Sequence, residues 1–409
     1  MRSLFRNIGT LAGIVPAGVL RKQGAEMSQV GTLHDAWLLE EDGLTASFGT
    51  SSDTLPDADN VIDCEGGMLM PAFCDSHTHI VYAVCRDGEF IDKINGLSYA
   101  EIAARGGGIL NSADLLHNTS EDELYRQAEE RVDEMISKGT GAIEIKSGYG
   151  LNPEGEMKML RVIDRIRQFS PAVVRSTFLG AHAVGRGYTH EGYVDEVCRM
   201  MPEASALADF VDVFCEEGFF TPSDAARIME AGKACGLRPK IHANQLHVSG
   251  GVQVGVEHGA LSVDHLEETG PAEIEVLRGS GTMPTMLPGS SFFLRAPYGK
   301  AREFIEAGLG VALASDYNPG SSPSGDMRFV MALGCIRMRL TPEQAFNAVT
   351  LNGAYAMGIS DSAGSITVGK RADFILTRPG WTLTKIPYLY QTPFIRSVFL
   401  LGQEYGTNN

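Results

Sequence analysis

Short apolar runs that alternate with amphipathic helical patterns after residue 70 constrain the fold more than any other feature of this sequence. Eight of these runs are typical of buried strands, and they cover 68–73, 142–146, 173–180, 210–215, 239–243, 261–265, 282–287 and 311–315. Helical patterns separate most of them, as in "EGEMKMLRVIDRIRQF" at 154–169 and "TPSDAARIMEAGKACG" at 221–236. Eight strand–helix units over roughly 250 residues predict an α/β fold, a (β/α)₈ TIM-like barrel.

The two ends of the chain show a different pattern, with short β segments and turns. Residues 1–70 contain "AWLLEEDGLTASFG", which predicts a hairpin that turns near Glu41-Asp42-Gly43. The β character returns at 363–409 in "GSITVGKRADFILT" and "IRSVFLLGQEY". Because chain termini often lie close together, we expect both ends to form one small β-sandwich domain beside a barrel domain at 71–362.

Charge and cysteine content narrow the classes of function. The formal net charge of −17 predicts no nucleic acid partner, and an anionic substrate would need a local cation in its pocket. No apolar run reaches the roughly 18 residues of a membrane span, so we expect no membrane partner. The seven cysteines are widely spaced without a C-x-x-C motif, which predicts free thiols and a reducing, cytoplasmic location.

Polar side chains follow the predicted strands at the barrel end where active sites lie. His77 and His79, in "MPAFCDSHTH", are two residues apart, so in a strand both imidazoles point to the same side. Later strands end in a similar way, at His182, His242, His265 and Asp316. Five of the ten histidines therefore fall at strand ends, whereas chance would scatter them.

Four of these residues supply three imidazole nitrogens and one carboxylate: His77, His79, His242 and Asp316. That set suits one Zn²⁺ or Fe²⁺/Fe³⁺ ion with an open position for water, whose pKa the ion would lower toward roughly 7. Asp316 could also accept the water proton. His265 could act as an acid–base group or stabilise an oxyanion.

Each residue also has a structural interpretation. His242 could be a hydrogen-bonded core histidine, and Asp316 could simply open a turn. Asp264 could hold His265 for structure alone. Lys146 could be carbamylated to bridge two metals, but its position two residues after Glu144 favours an ion pair, and we predict one metal. The coincidence of five such residues at strand ends favours the metal site.

Three segments of the sequence resemble the amidohydrolase superfamily, namely "VIDCEGGMLMPAFCDSHTH", "ASDYNPGS" and "GSITVGKRADFIL". Within it, "ARGGGIL", "EIKSGYGL", "STFLGAHAV", "KIHANQL" and "TMLPGSSFFL" resemble the imidazolonepropionase family. The resemblance covers about residues 60–400. It implies hydrolysis of 4-imidazolone-5-propanoate to N-formimidoyl-L-glutamate, a zinc or iron ion and a possible homodimer.

The resemblance also implies a set of substrate-binding residues, namely Arg86, Tyr149, His182, Gln245, Asn318, Gly320 and Ser321. Some family members have Glu where this chain has Gln245. A glutamine does not exchange protons at neutral pH, so we expect Gln245 to take part in catalysis only by holding the ring. Arg86 would grip the propanoate bidentately and provide the local cation that the net charge demands. The glycines at 106–108 could bring backbone close to the ligand.

Other functions remain open at this point. A related amidohydrolase could act as a deaminase or on another cyclic amide, and Arg86→Ala would then barely change KM. A non-catalytic scaffold or a metal-storage protein would belong to another class. Scaffold homologues usually lose metal ligands, whereas all four are present here, and ligands at a barrel mouth with an open position speak against metal storage.

Overall fold

The computed structural model describes residues 1–97, 101, 105 and 107–406. The strands are β1 Arg2–Ile14, β2 Gly31–Glu41, β3 Leu44–Thr50, β4 Asn60–Asp63, β5 Met68–Pro71, β6 Phe73–Thr78, β7 Thr140–Lys146, β8 Val173–Ala181, β9 Phe210–Cys215, β10 Arg238–Pro239, β11 Ile241–Ala243, β12 Ser262–His265, β13 Met283–Met286, β14 Ala312–Leu313, β15 Phe374–Thr377, β16 Ile395–Leu400 and β17 Gln403–Glu404. The helices are α1 Asp87–Ile94, α2 Ile109–Asn118, α3 Glu121–Ser137, α4 Pro153–Phe169, α5 His190–Ala204, α6 Pro222–Ala234, α7 Gly251–Glu257, α8 Pro271–Leu277, α9 Pro288–Leu294, α10 Ala301–Glu306, α11 Met327–Ile336, α12 Pro342–Val349, α13 Leu351–Ala356 and α14 Lys385–Tyr388. A short 3₁₀ helix spans Gly24–Ser28.

The central sheet is a barrel of parallel strands in the order β6-β7-β8-β9-β11-β12-β13-β14, with β10 paired to β9. It closes between its first and last strands. Asp316 N–H donates to His77 O at 3.0 Å, and His79 N–H donates to Tyr317 O at 2.8 Å. This seam confirms the predicted (β/α)₈ barrel and places the H-x-H motif beside Asp316.

The helical predictions are confirmed by their caps. Asn152 accepts a hydrogen bond from Gly155 N–H at the start of α4. Thr221 and Asp224 form a capping box at the start of α6. These helices bury their apolar faces against the strands, as Ile163 and Ile228 do with no exposed surface.

One predicted strand is wrong as a single element. The run 68–73 belongs to two sheets, since β5 pairs with β1 and β15 while β6 starts the barrel at Phe73. Both strands are buried on both faces, so no polar residue marks the crossing. His77 consequently lies within β6 and His79 directly after it.

Both chain ends join in a second sheet, in the order β17-β16-β15-β5-β1-β2-β3, with β4 paired to β1. The sheet bends around its own core, because Phe5 on β1 contacts Phe399 on β16 at a ring-centroid distance of 4.9 Å although two strands separate them. This two-layer arrangement agrees with the predicted small β domain. The predicted hairpin is confirmed, and Asp42 and Gly43 both have positive φ, as a two-residue type I′ turn requires.

The predicted domain boundaries at 70/71 and 362/363 stay predictions. Strands of the terminal sheet end at Pro71 and resume at Phe374. In the described part of the chain, no helix combines the length and the apolar character that a membrane crossing requires.

Candidate active site

The carboxyl ends of the barrel strands bring the predicted metal ligands to one buried point. His77 Nε2 lies 3.2 Å from His79 Nε2, and Asp316 Oδ1 lies 3.7 Å and 3.6 Å from these two nitrogens. One nitrogen each of His77, His79 and His242 falls within 4.8 Å of the others. His242 Nε2 is buried and has no hydrogen-bond partner among the described residues, which is costly for a polar atom unless a ligand satisfies it. The donor set and the unsatisfied nitrogen fit a divalent metal ion.

A layer of buried charges lies directly beneath the histidines. His77 Nδ1–H donates to Asp264 Oδ2 at 2.7 Å, which leaves the Nε2 lone pair for a ligand. His242 Nδ1 lies 3.0 Å from Asp212 Oδ2, close enough to pair electrostatically without an aligned hydrogen bond. These aspartates orient two of the three imidazoles.

Two buried lysines neutralise this layer. Lys146 Nζ donates to Glu144 Oε1 at 2.6 Å and to Asp212 Oδ2 at 2.8 Å. Lys240 Nζ donates to Glu144 Oε2 and to Ser76 O. Burial lowers the pKa of Lys146, but the carboxylates of Asp212, Glu144 and Asp264 raise it by more than burial lowers it. The pKa of Lys146 therefore lies above its usual value. Lys146 thus has the structural ion pair that the sequence predicts, joined by a second partner on β9.

A cavity of about 460 Å³ opens above the histidines. Nearly all the predicted site residues line it: His79, Arg86, Tyr149, His182, His242, Gln245, His265, Asp316, Asn318, Gly320 and Ser321. His77 lies behind His79 and does not line it. Phe214, Phe219 and Leu246 make one wall apolar.

The turn that follows β14 fixes Asp316. Asn318 Oδ1 accepts hydrogen bonds from the N–H groups of Gly320 and Ser321, both at 2.8 Å, and its Nδ2 donates to Asp316 O at 2.6 Å. Ser321 Oγ donates to Asp316 Oδ2 at 3.3 Å. Asp316 has φ 54° and His265 has φ 88°, conformations that cost energy in a non-glycine residue and often occur at active sites.

The two remaining histidines differ in their environment. His182 Nδ1–H donates to Gly148 O at 3.0 Å, and its ring stacks on His79 at 5.3 Å between centroids. Burial lowers the pKa of His182 to about 3, so this imidazole is neutral. Burial also lowers the pKa of His265, but the carboxylates of Glu267, Asp316 and Asp264 together raise it above its usual value. Glu267 Oε1 lies 3.3 Å from His265 Nδ1. Burial raises the pKa of Asp316.

One expectation about partners needs correction. Asp264 holds His77, and Glu267 rather than Asp264 is the hydrogen-bond partner of His265. Arg86 donates from Nε and Nη2 to the two oxygens of Glu89, at 2.8 Å and 2.5 Å. Glu89 thus occupies the Nε edge of the guanidinium, and bidentate binding of a substrate carboxylate through the Nη1–Nη2 edge stays a prediction.

Sequence reasoning missed several residues of the site. Lys93 lines the cavity, and its spacing of seven from Arg86, two helical turns, was an available signal. Asp212 was visible as one polar residue in the apolar run "FVDVFC". Glu89 had only the common i,i+3 spacing from Arg86. Of the glycines at 106–108, Gly106 lies outside the described residues, and Gly108 N–H donates to Glu89 Oε1 at 2.8 Å.

The fold and this site define an amidohydrolase. The model of the amidohydrolase family matches residues 220–404. A guanine deaminase from C. acetobutylicum shares the fold with a TM-score of 0.71 at 15% identity, over 99% of this chain and 100% of that one. An adenosine deaminase from Xanthomonas campestris with bound zinc does so with a TM-score of 0.72 at 15% identity, over 98% and 92%. Family and histidine cluster together support a metal cofactor.

Relatives in other bacteria narrow the assignment. The imidazolonepropionase of Flavobacterium johnsoniae is 51% identical over 98% of this chain and 100% of its own length. The imidazolonepropionase of Geobacillus kaustophilus is 40% identical over 92% of each chain. The chain belongs to the imidazolonepropionase family.

Proposed function

We propose that this chain hydrolyses the ring amide of 4-imidazolone-5-propanoate to N-formimidoyl-L-glutamate, the third step of histidine degradation. One observation carries the proposal: a single cavity joins the histidine cluster to a wall with cationic side chains. An imidazolone ring needs a hydrolytic centre at its carbonyl, and its propanoate needs a cation. The names of the relatives agree with this substrate.

We propose one Zn²⁺ or Fe²⁺/Fe³⁺ ion per chain, held by His77, His79, His242 and Asp316. When bound, such an ion polarises a carbonyl and lowers the pKa of a water molecule. The converging nitrogens and the unpartnered His242 Nε2 support this set. Lys146 is engaged by Glu144 and Asp212, which supports one metal rather than a carbamylated bridge between two.

Asp316 and His265 are proposed as the catalytic polar residues. Asp316 lies next to both histidines of the H-x-H motif, where its carboxylate can take a proton from water and pass it to the ring nitrogen as the C–N bond breaks. Glu267 favours the protonated form of His265, which can then donate a hydrogen bond to the developing oxyanion.

The remaining cavity residues are proposed to hold the substrate. His182 has Nδ1 bonded to Gly148 O, so its Nε2 is the acceptor of this imidazole. Gln245 and Tyr149 add amide and phenolic groups for the ring. The turn of Asn318, Gly320 and Ser321 contributes polar atoms beside Arg86.

The test is a coupled assay on purified protein. Imidazolonepropanoate is generated enzymatically from urocanate, loss of its ultraviolet absorbance is followed, and bound metal is counted by mass spectrometry. We expect decay faster than the spontaneous rate with about one metal per chain, both lost in His77→Ala. Metal without acceleration would contradict the substrate and point to a deaminase or another cyclic amidase.

We further propose a cytoplasmic homodimer that acts on this small anion without a nucleic acid or membrane partner. Light scattering coupled to size-exclusion chromatography tests the dimer, and a monomeric mass would contradict it. The free cysteines, such as Cys64 and Cys74, support a reducing compartment.

A further inference from the structure

We infer that Lys93 is a second substrate-binding cation, which supplies the net positive charge at the carboxylate-binding end of the cavity. We use this name for the wall formed by Arg86, Glu89, Lys93 and Gly320. The inference rests on the proposed function for the identity of the anion, and it concerns recognition rather than the hydrolytic step.

Arg86 forms an electrically neutral pair with Glu89. Its Nε and Nη2 atoms donate to both oxygens of Glu89, and each side chain is 11% exposed. Glu89 also accepts from Gly108 N–H. Because the pair is neutral as a unit, it presents an approaching anion with a dipole and no net charge. The net charge of −17 on the chain opposes that approach.

Lys93 lines the same cavity as Arg86. Arg86 immediately precedes α1 and Lys93 lies in its last turn, so both reach the same side of this helix. Lys93 Nζ donates to Gly320 O at 2.5 Å and lines the cavity. A Cβ on Gly320 would collide with Arg86 Nη1. Both cations therefore contact one residue of the turn that follows Asp316.

The side chains that form this wall carry one positive charge in excess. Arg86 and Lys93 are positive and Glu89 is negative, so the sum is a single positive charge, which one substrate carboxylate would neutralise. Within the described part of the chain, Lys93 forms no ion pair with a carboxylate, and an ammonium has three donors of which Gly320 O uses one. The half-buried Lys93 Nζ also lies 5.4 Å from the Phe293 ring centroid, and partial burial strengthens its attraction for an anion.

A structural role is the competing explanation, since Lys93 could simply tether α1 to the Gly320 turn. The variants Lys93→Gln and Lys93→Arg separate the two roles. Glutamine keeps a hydrogen-bond donor but removes the charge, and arginine keeps both. Lys233→Gln is the matched control, because Lys233 also donates to a backbone carbonyl, that of His258, on the outside of the barrel.

The experiment measures binding by calorimetry with two non-hydrolysable probes on the metal-loaded protein. One is 3-(imidazol-4-yl)propanoate, and the other is its neutral propanamide. We expect Lys93→Gln to weaken the carboxylate by at least about tenfold while the amide changes by less than about twofold. Lys93→Arg should recover most of the loss, and Lys233→Gln should match the wild type.

The outcomes are distinct. Equal weakening of both probes would show a tether and overturn the inference, as would unchanged affinity for the carboxylate. Turnover of imidazolonepropanoate is measured separately, with KM raised and kcat nearly unchanged in Lys93→Gln. If the wild type binds the carboxylate probe through Lys93 but does not hydrolyse imidazolonepropanoate, the proposed function fails and the anion site stands.

Discussion

The histidine cluster and the carboxylate-binding end of the cavity are built in opposite ways. The cluster consists of His77, His79, His242 and Asp316, and all four are almost completely buried. The three histidines lie in or directly beside barrel strands, and aspartates on other barrel strands orient His77 and His242. Arg86 and Lys93 extend from a short helix outside the barrel, and Lys93 is half-buried. The barrel core therefore fixes the chemistry, while the appended helix sets which ring substituent is accepted.

This comparison predicts that changes in the histidine cluster abolish metal binding, whereas changes at the carboxylate-binding end alter the affinity for the substrate. The largest effect is expected for His242→Ala, because it removes a buried ligand nitrogen, Nε2, that has no hydrogen-bond partner among the described residues. We expect loss of bound metal and a fall in kcat/KM of about 10³-fold or more. Metal analysis and the coupled assay measure both. His34→Ala, an exposed histidine of the terminal sheet, is the control, and full metal content in His242→Ala would contradict the ligand set.

A smaller loss is expected when the layer beneath the histidines is changed. Asp264→Asn keeps the shape but weakens the hold on His77 and leaves Lys146 with less compensation. We expect metal affinity to fall by about 10–100-fold, as measured by competition with a chelator. Asp209→Asn is the matched control for Asp264→Asn, because Asp209 pairs with Arg167 and Arg175 at the far end of the barrel from the site. Equal metal affinity in both variants would refute the orienting role.

Changes at the carboxylate-binding end should act on KM. Arg86→Met leaves Glu89 to cancel Lys93, and we expect KM to rise by about 10–100-fold with bound metal unchanged. Adding Glu89→Gln restores the single positive charge of Lys93 and should recover part of that loss. If the double variant binds no better than Arg86→Met, net charge is not what this region contributes.

The smallest effect is a shift with pH. Burial and then the charge of Arg86 lower the pKa of Lys93 from 10.5. A lysine with a lowered pKa loses its charge at lower pH, so affinity for the carboxylate probe should fall on the alkaline side before an ordinary lysine titrates. Calorimetry from about pH 7 to about pH 10 measures this fall. Lys93→Arg should lack it, and an identical fall in that variant would assign the titration to another group.

Much of the fold was predictable because its signals are local. Strand β9 has the predicted bounds, both capped helices begin where their Asn and Thr caps stand, and the Asp42–Gly43 turn follows from residue type alone. The crossing between sheets at Pro71 was not predictable. Both sheets bury that run on both faces, so no polar residue marks the change, and Pro71 interrupts the run without showing which sheet each side joins.

The candidate site divides in the same way. The cluster residues could be named because strand periodicity and the position of strand ends depend on near neighbours in sequence. The partner of His77 could not be named from the sequence, because Asp264 lies 187 residues away. On the sequence alone, the adjacent His265 was an equally good partner for Asp264. Glu89 likewise changes the role of Arg86, and only the tertiary structure shows which edge of the guanidinium Glu89 occupies.

The sequence by itself therefore determined the barrel, the H-x-H motif and the residue types of a metal site. Tertiary structure decided the pairings: Asp264 with His77, Lys146 with Glu144 and Asp212, and two cations around Gly320. The physical reason is range. Periodicity and capping act within a few residues. Buried charges lose their hydration when the barrel closes, so their pairing depends on which opposite charges the fold brings next to them.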